Sequence, residues 1–335
     1  MMENIRLVHQ NTLSCEAIFR IAPDGHYIIV SQCGGPEEPH IDNRVVIFHS
    51  YDKGKTWSKP IPVVPENGMA QYQTEVSIIK DEILIFMCEH DGHFCNSRTY
   101  VISSKNNGLT FEEKITLPHF KGFVFLRGMI KAGNEYIFPY QFYKISKRSN
   151  RYLVKNNKKI WEGTLINVEM GVIKTKNLKK FSKSKKPCYL EMWANEKRRW
   201  VWSEPTIVEY KSKLVMFLRY DQHGFLYRSE SIDKGNSWSK PVATDIPNPG
   251  NKPKLIKWND KFILLNTPKS EPGFSNRTPL EMWISKDLQT WTTKEVVCDY
   301  PGWISYPDGI VNDNELLFAF EYNRKEIYFV SKKLN

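Results

Sequence analysis

Short apolar or alternating runs recur along the chain, at roughly ten-residue spacing. They include RVVIFHS (44–50), EILIFMC (82–88), RTYVISS (98–104), EYIFPYQF (135–142), KLVMFLRY (213–220), LYRSES (226–231), KFILLNT (261–267), LEMWIS (280–285) and ELLFAFEY (315–322). Runs this short, rich in β-branched and aromatic residues and bounded by Gly, Asn, Asp and Pro, predict β-strands. No segment carries a convincing helical period, so the pattern predicts an all-β chain without helices.

Several strands end in the same punctuation, Ser-x-Asp-x-Gly-x-Thr-Trp. Ser50-Asp52-Gly54-Thr56-Trp57 fits it fully, and Ser231-Asp233-Gly235-Ser237-Trp238 fits with Ser for Thr. Ser104-Asn106-Gly108-Thr110-Phe111 carries Asn and Phe, while Ser285-Asp287-Leu288-Thr290-Trp291 and Thr175-Asn177-Leu178-Phe181 are shortened copies. The Asp or Asn side chain can accept amide hydrogen bonds and close a turn, Gly accepts positive φ, and the aromatic opens the next strand. Copies start at 50, 104, 175, 231 and 285. Four antiparallel strands per repeat, five copies and a closing C-terminal unit predict a six-bladed β-propeller, one domain over 1–335. The longest interval, from 104 to 175, places a basic insertion at about 144–160 in the third blade.

Composition is globular, with 41% hydrophobic and 13% aromatic residues, and no run spans a membrane. Six cysteines without a CxxC pair read as buried thiols rather than a disulfide framework or zinc site. An N-terminus without an apolar leader predicts a cytoplasmic protein. The net charge of +11 favours acidic partners, and the excess clusters at 144–159, 174–186 and 196–199. No nucleic-acid motif accompanies it, so a solvated loop surface or an anionic glycan is the expected use. No cofactor fingerprint occurs. His90 and His93 suit a turn better than a metal site, and no metal is expected.

The repeated box resembles that of the sialidases and related BNR-repeat proteins, over essentially the whole chain. That resemblance implies a glycoside hydrolase that removes a terminal anionic sugar with retention through a tyrosine nucleophile. It places Tyr306, ahead of ELLFAFEY, as the nucleophile and Glu204, in WVWSEPTIVEY, as the carboxylate that activates it. Arg219 and Arg277 fall where the family holds its substrate carboxylate, a task suited to the fixed guanidinium fork. The general acid falls on the loop before the first box, where Asp42 is favoured over Glu37, Glu38 and His40.

The first arginine departs from the family's pattern. Arg20 in IFRIAPDG resembles the family's motif, but counting back from the Asp24-Gly25 turn puts Cys15 at the expected position. Arg44 and Arg127 are the candidate substitutes. Glu75 heads an apolar strand much as Glu204 does. Two other functions fit the same fold. One is a polysaccharide lyase or other glycosidase acting on uronate- or rhamnose-containing glycans, with His93 and Tyr72 or Tyr143 moving a proton. The other is a non-catalytic propeller that binds glycan or protein through the basic insertion.

Overall fold

A computed structural model describes residues 5–117, 120, 122–162, 167–194, 197–199, 201–221 and 223–335. Glu196 of the third basic cluster lies outside them, and the side chains of 197–199 are likewise not described. The fold class is the expected one: antiparallel blades of a six-bladed β-propeller, three in each of two compact units.

The first unit is Met1–Leu117 with Cys298–Asn335. Its first blade pairs Ser14–Ile21, Tyr27–Cys33, Arg44–Ser50 and Ile61–Pro62 in order, and its second pairs Ala70–Ile79, Glu82–His90, Arg98–Ser104 and Glu112–Thr116. The sixth pairs Ile304–Asn312, Glu315–Tyr322 and Glu326–Lys333, and the N-terminal strand Ile5–Gln10 completes it against Glu326–Lys333. Apolar faces of adjacent blades form the core: Phe19, Ile29 and Phe48 pack with Leu317 and Phe329, and Ile47 and Val30 pack with Ile83 and Ile85.

The second unit is Pro118–Val297. Its fourth blade is Thr206–Tyr210, Lys213–Leu218, Phe225–Ser231 and Val242–Pro247, and its fifth is Lys254–Trp258, Lys261–Asn266, Leu280–Ser285 and Trp291–Cys298. The third blade is enlarged to seven strands around Glu135–Tyr143 and Asn167–Thr175. Phe217, Leu226, Leu264 and Trp283 anchor the core between the fourth and fifth blades.

The expectation of a chain without helices is overturned inside the insertion, where Lys147–Lys155 forms an α-helix (α1). Ser146 caps it by accepting from Ser149 N at 3.1 Å. Leu153 is its one buried residue, and its apolar side chains, Tyr152, Leu153 and Val154, are consecutive instead of recurring every three or four positions. Among the described residues no helix is long and apolar enough to cross a membrane. All six cysteines are free and buried.

The box works as turn and spacer together. Ser50 Oγ donates to Asp52 Oδ1 (2.9 Å) and accepts from Gly54 N (2.8 Å), while Thr56 N and Oγ1 donate to Asp52 (2.9 and 2.7 Å). Those bonds from Thr56 hold the Asp52 carboxyl down at about 2. The network repeats at 231–237 with Ser237 in place of Thr56. The glycine is needed twice over. Gly235 has φ +81, and a Cβ there would stand 2.4 Å from Val172 Cγ2 of the preceding blade. Gly54 repeats this against the Phe329 ring at 2.2 Å. In the shortened boxes Leu178 and Leu288 take φ 61 and are buried.

Gly235→Ala is expected to cost about 2–4 kcal/mol, because left-handed backbone strain adds to overpacking against Val172. Gly25→Ala, at φ +91 with nothing within 4 Å, is expected to lose only about 1–2 kcal/mol of strain. Urea denaturation of both variants checks this, and equal losses would remove the spacer role.

Candidate active site

In the second unit, burial and bond geometry converge on Glu204. Its carboxylate is 1% exposed and receives Arg219 Nη1 at 2.6 Å on Oε2 and Arg127 Nη2 at 3.3 Å on Oε1. Burial opposes its charge, but Arg219 and Arg127 outweigh it and hold the carboxyl down at about 2. Arg219 follows the strand Lys213–Leu218; its backbone N donates to Ser203 O (2.8 Å) and its Nε to Asp221 Oδ1 (2.7 Å). Asp221 Oδ2 in turn accepts Trp202 N at 2.8 Å. Arg127 lays its guanidinium 4.7 Å from the Phe125 ring centroid.

Arg277 reaches the same neighbourhood from the fifth blade. It ends the 3-10 turn Phe274–Asn276, stacks 4.2 Å over Phe274, and donates from Nη2 to Gly250 O at 2.6 Å. Gly250 (φ +84) permits this approach, since a Cβ there would lie 3.2 Å from Asp221 Oδ1 and 3.9 Å from Arg219 Nε. Asn248 Oδ1 braces that loop by accepting from Gly250 N and Asn251 N (3.0 and 2.9 Å). Lys252, 5% exposed, adds its charge to the field at Glu204. Arg127, Arg219, Arg277 and Lys252 thus gather in the neighbourhood of Glu204 and Asp221. Asp221, Lys252 and the Asn-Pro-Gly loop were not singled out from sequence; their signals are an Asp two residues after Arg219 and a turn tripeptide before a lysine.

The first unit holds a second ionic cluster. Arg324 pairs with Glu38, lies 3.7 Å from Glu321 Oε1 and donates to Cys15 Sγ at 3.4 Å. Glu321 Oε2 also accepts Glu16 N at 2.8 Å. Glu38 and Arg324 keep 12% and 21% side-chain exposure, so the pair is reachable from solvent. Burial and the charges of Glu16 and Glu321 outweigh Arg324, and the Glu38 carboxyl rises to about 7. Tyr306 lies close enough to add to the field at Arg324, and is 7% exposed at φ 56. That left-handed angle falls within a register shift of the strand Ile304–Asn312, between Ser305 and Asp308. Glu16 (φ 56) sits in a like shift between Cys15 and Ile18, and Glu204 is held at φ 31. Bulky residues at positive φ are costly, and they cluster at functional positions.

The other expected site residues lie elsewhere. Arg20 is buried and bonded to Val76 O (2.6 Å), Phe19 O (2.6 Å), Asp308 Oδ1 (2.5 Å) and Glu75 Oε1 (2.9 Å), which ties the first, second and sixth blades together. Cys15, not Arg20, neighbours Arg324, and burial pushes its thiol up. Arg44 donates to Ile41 O and Asn43 O (2.7 and 2.9 Å) and meets Glu66 at 3.3 Å. Asp42 has a 65% exposed side chain and lies 3.3 Å from His40 Nδ1. Asn43 braces this loop by donating to Gly34 O (2.7 Å) and Glu37 O (3.0 Å). Glu38, not Asp42, is the carboxyl of the loop that lies in the Tyr306 cluster. His90 Nδ1 accepts from Gly92 N and Phe94 N, and burial lowers it to about 3.

The profile of the BNR repeat-like domain family matches residues 27–318. A search of curated protein sequences finds no match. Among solved structures, a Hadza microbial sialidase superposes with TM-score 0.74 at 15% identity, covering 97% of this chain and 66% of that one. A protein of unknown function from Dyadobacter fermentans gives TM-score 0.74 at 14% identity, covering 100% and 99% of the two chains. The α-L-arabinofuranosidase of Fusarium graminearum, solved with an iminosugar inhibitor, gives 0.64 at 13%, covering 99% and 98%. Likeness at these identities speaks to the fold, while the profile match spans most of the chain: the protein belongs to the BNR repeat-like domain family.

Proposed function

We propose that the protein is a glycoside hydrolase that releases a terminal anionic sugar from a glycan. The observation that carries this reading is the group around Glu204, in which Arg219 and Arg127 converge on one buried carboxylate and Arg277 and Lys252 lie in the same neighbourhood. Arginine and lysine at that density suit a carboxylate on a sugar. We assign anion recognition to Arg219, Arg277 and Lys252, with Arg127 standing in for the arginine that Arg20 does not supply.

In the first unit, Tyr306 supplies a neutral nucleophile, which avoids repulsion with an anionic substrate. Glu38 supplies the acid: a carboxyl that titrates near 7 keeps its proton at working pH and can deliver it to a leaving oxygen. As the Tyr306 oxygen bonds to the anomeric carbon, its proton passes to the Glu321 carboxylate of the same cluster, the glycosidic bond breaks and Glu38 protonates the departing oxygen. Water, deprotonated by Glu38, then displaces Tyr306, which takes its proton back from Glu321. Hydrolysis of a neutral pentoside is the second reading, favoured by the commitment of Arg20 to Glu75 and Asp308.

A panel of sialosides, uronosides and arabinofuranosides decides between the two. Turnover of an anionic glycoside that falls at least a hundredfold in Tyr306→Phe supports the first. Turnover confined to the pentoside favours the second, and a wild-type protein inert on the whole panel sinks both. Arg277→Ala is expected to raise KM for the anionic substrate about tenfold or more.

The acid has a pH signature with a fixed sign. A carboxyl raised from 4.5 to about 7 on folding binds a proton in the native state between those values. Its contribution to stability is therefore present below about 4.5 and lost as pH rises through about 7. Urea midpoints of wild type relative to Glu38→Gln should fall across that window; a pH-independent difference means that Arg324 keeps Glu38 ionised throughout. In kinetics, Glu38→Gln is expected to lose about 10²–10⁴-fold on alkyl glycosides and little on nitrophenyl glycosides, whose leaving group needs no acid.

A further inference from the structure

The insertion of the third blade ends on a tryptophan that its own fold holds in place. Leu153 and Ile160 are buried to within 1%. Lys158 N donates to Leu153 O (2.9 Å), Asn156 Nδ2 to Tyr152 O (2.7 Å), and Lys159 N to Glu162 Oε2 (2.7 Å). These bonds join α1 to the 3-10 turn Ile160–Glu162 and fix the position of Trp161 in that turn. The Trp161 ring centroid stands 6.2 Å from that of Trp202, with planes inclined at 64°. Trp202 is backed by Phe125 and Tyr143, each at 5.8 Å.

Both indoles are only half-buried. A part-exposed indole keeps an apolar face that a ligand can cover. Two indoles inclined to each other make a corner with electron-rich apolar walls, the surface that matches the C–H face of a sugar ring. Its address is set by bonds already described: Trp202 N to Asp221, Asp221 to Arg219, Arg219 to Glu204. Lys159 Nζ lies 5.4 Å from the Trp161 centroid, so an acidic group on a stacked sugar meets a cation there.

We propose that Trp161 and Trp202 form a sugar-stacking subsite that takes the ring adjoining the terminal anionic sugar, with Lys159 favouring an oligosaccharide that carries further acidic groups. Its position in the glycan rests on the hydrolase reading; its capacity to bind does not. Specificity for chain length then resides in the insertion, while the terminal sugar is recognised by the arginine group.

Non-hydrolysable probes separate the two claims. Titration calorimetry uses a thio-linked sialyl-galactose and the methyl thioglycoside of sialic acid, with wild type, Trp161→Ala and Trp161→Phe. Wild type should bind the disaccharide more tightly; Trp161→Ala should weaken it roughly tenfold, as expected for one lost aromatic contact. The monosaccharide should change less than twofold, and Trp161→Phe should recover most of the loss. Equal losses on both probes, no loss on either, or a wild type that prefers neither probe or binds neither would overturn the subsite. A Trp161-dependent preference in a protein that turns over none of the matching O-linked glycans keeps the subsite and removes the hydrolase reading.

Discussion

Charge taken out of water must be met by other charges or by hydrogen bonds, and the two ionic clusters of this protein meet that demand differently. Beside Arg324, burial and neighbouring glutamates raise the Glu38 carboxyl to about 7. Around Glu204, Arg219 and Arg127 outweigh burial and hold the carboxyl down at about 2. One cluster can therefore exchange a proton near neutral pH, while the other keeps its charges fixed.

The fold supplies both clusters by the same local device. Glu16 and Tyr306 lie in strands whose register slips, and each takes a left-handed angle that a regular strand does not use. A bulge re-aims a side chain without disturbing the sheet around it. Glu204 is turned by the same kind of angle just ahead of the strand Thr206–Tyr210. The cost, of order 1–3 kcal/mol for each such residue, is borne by blades whose packing the box glycines secure. Rigid scaffold and strained site are in this sense one construction.

The blades were legible in the sequence because the box repeats and the strand period is two; both are local signals that survive without knowledge of neighbours. Candidates defined by their place relative to a box, Glu204, Arg219 and Arg277, fall in or beside the second-unit cluster. What distance along the chain does not carry is direction. Asp42 and Glu38 sit four residues apart on one loop, and only the bracing by Asn43 and the pull of Arg324 decide which points inward. The register shift between Cys15 and Ile18 is likewise invisible in the sequence: it inserts one extra residue into the strand that carries both Cys15 and Arg20. α1 has no i, i+3, i+4 apolar repeat, because Tyr152, Leu153 and Val154 form one short run in a strongly basic segment.

The pairing of Ile5–Gln10 with Glu326–Lys333 has a consequence for synthesis. The strand Ile5–Gln10 finds its partner only after the last blade has been made, more than 300 residues later. Until then the sixth blade lacks an edge strand, and residues 5–10 remain an open template for another chain. Docking of that strand is the latest event the topology allows, and a nascent chain stalled before residue 326 carries its donor strand unused.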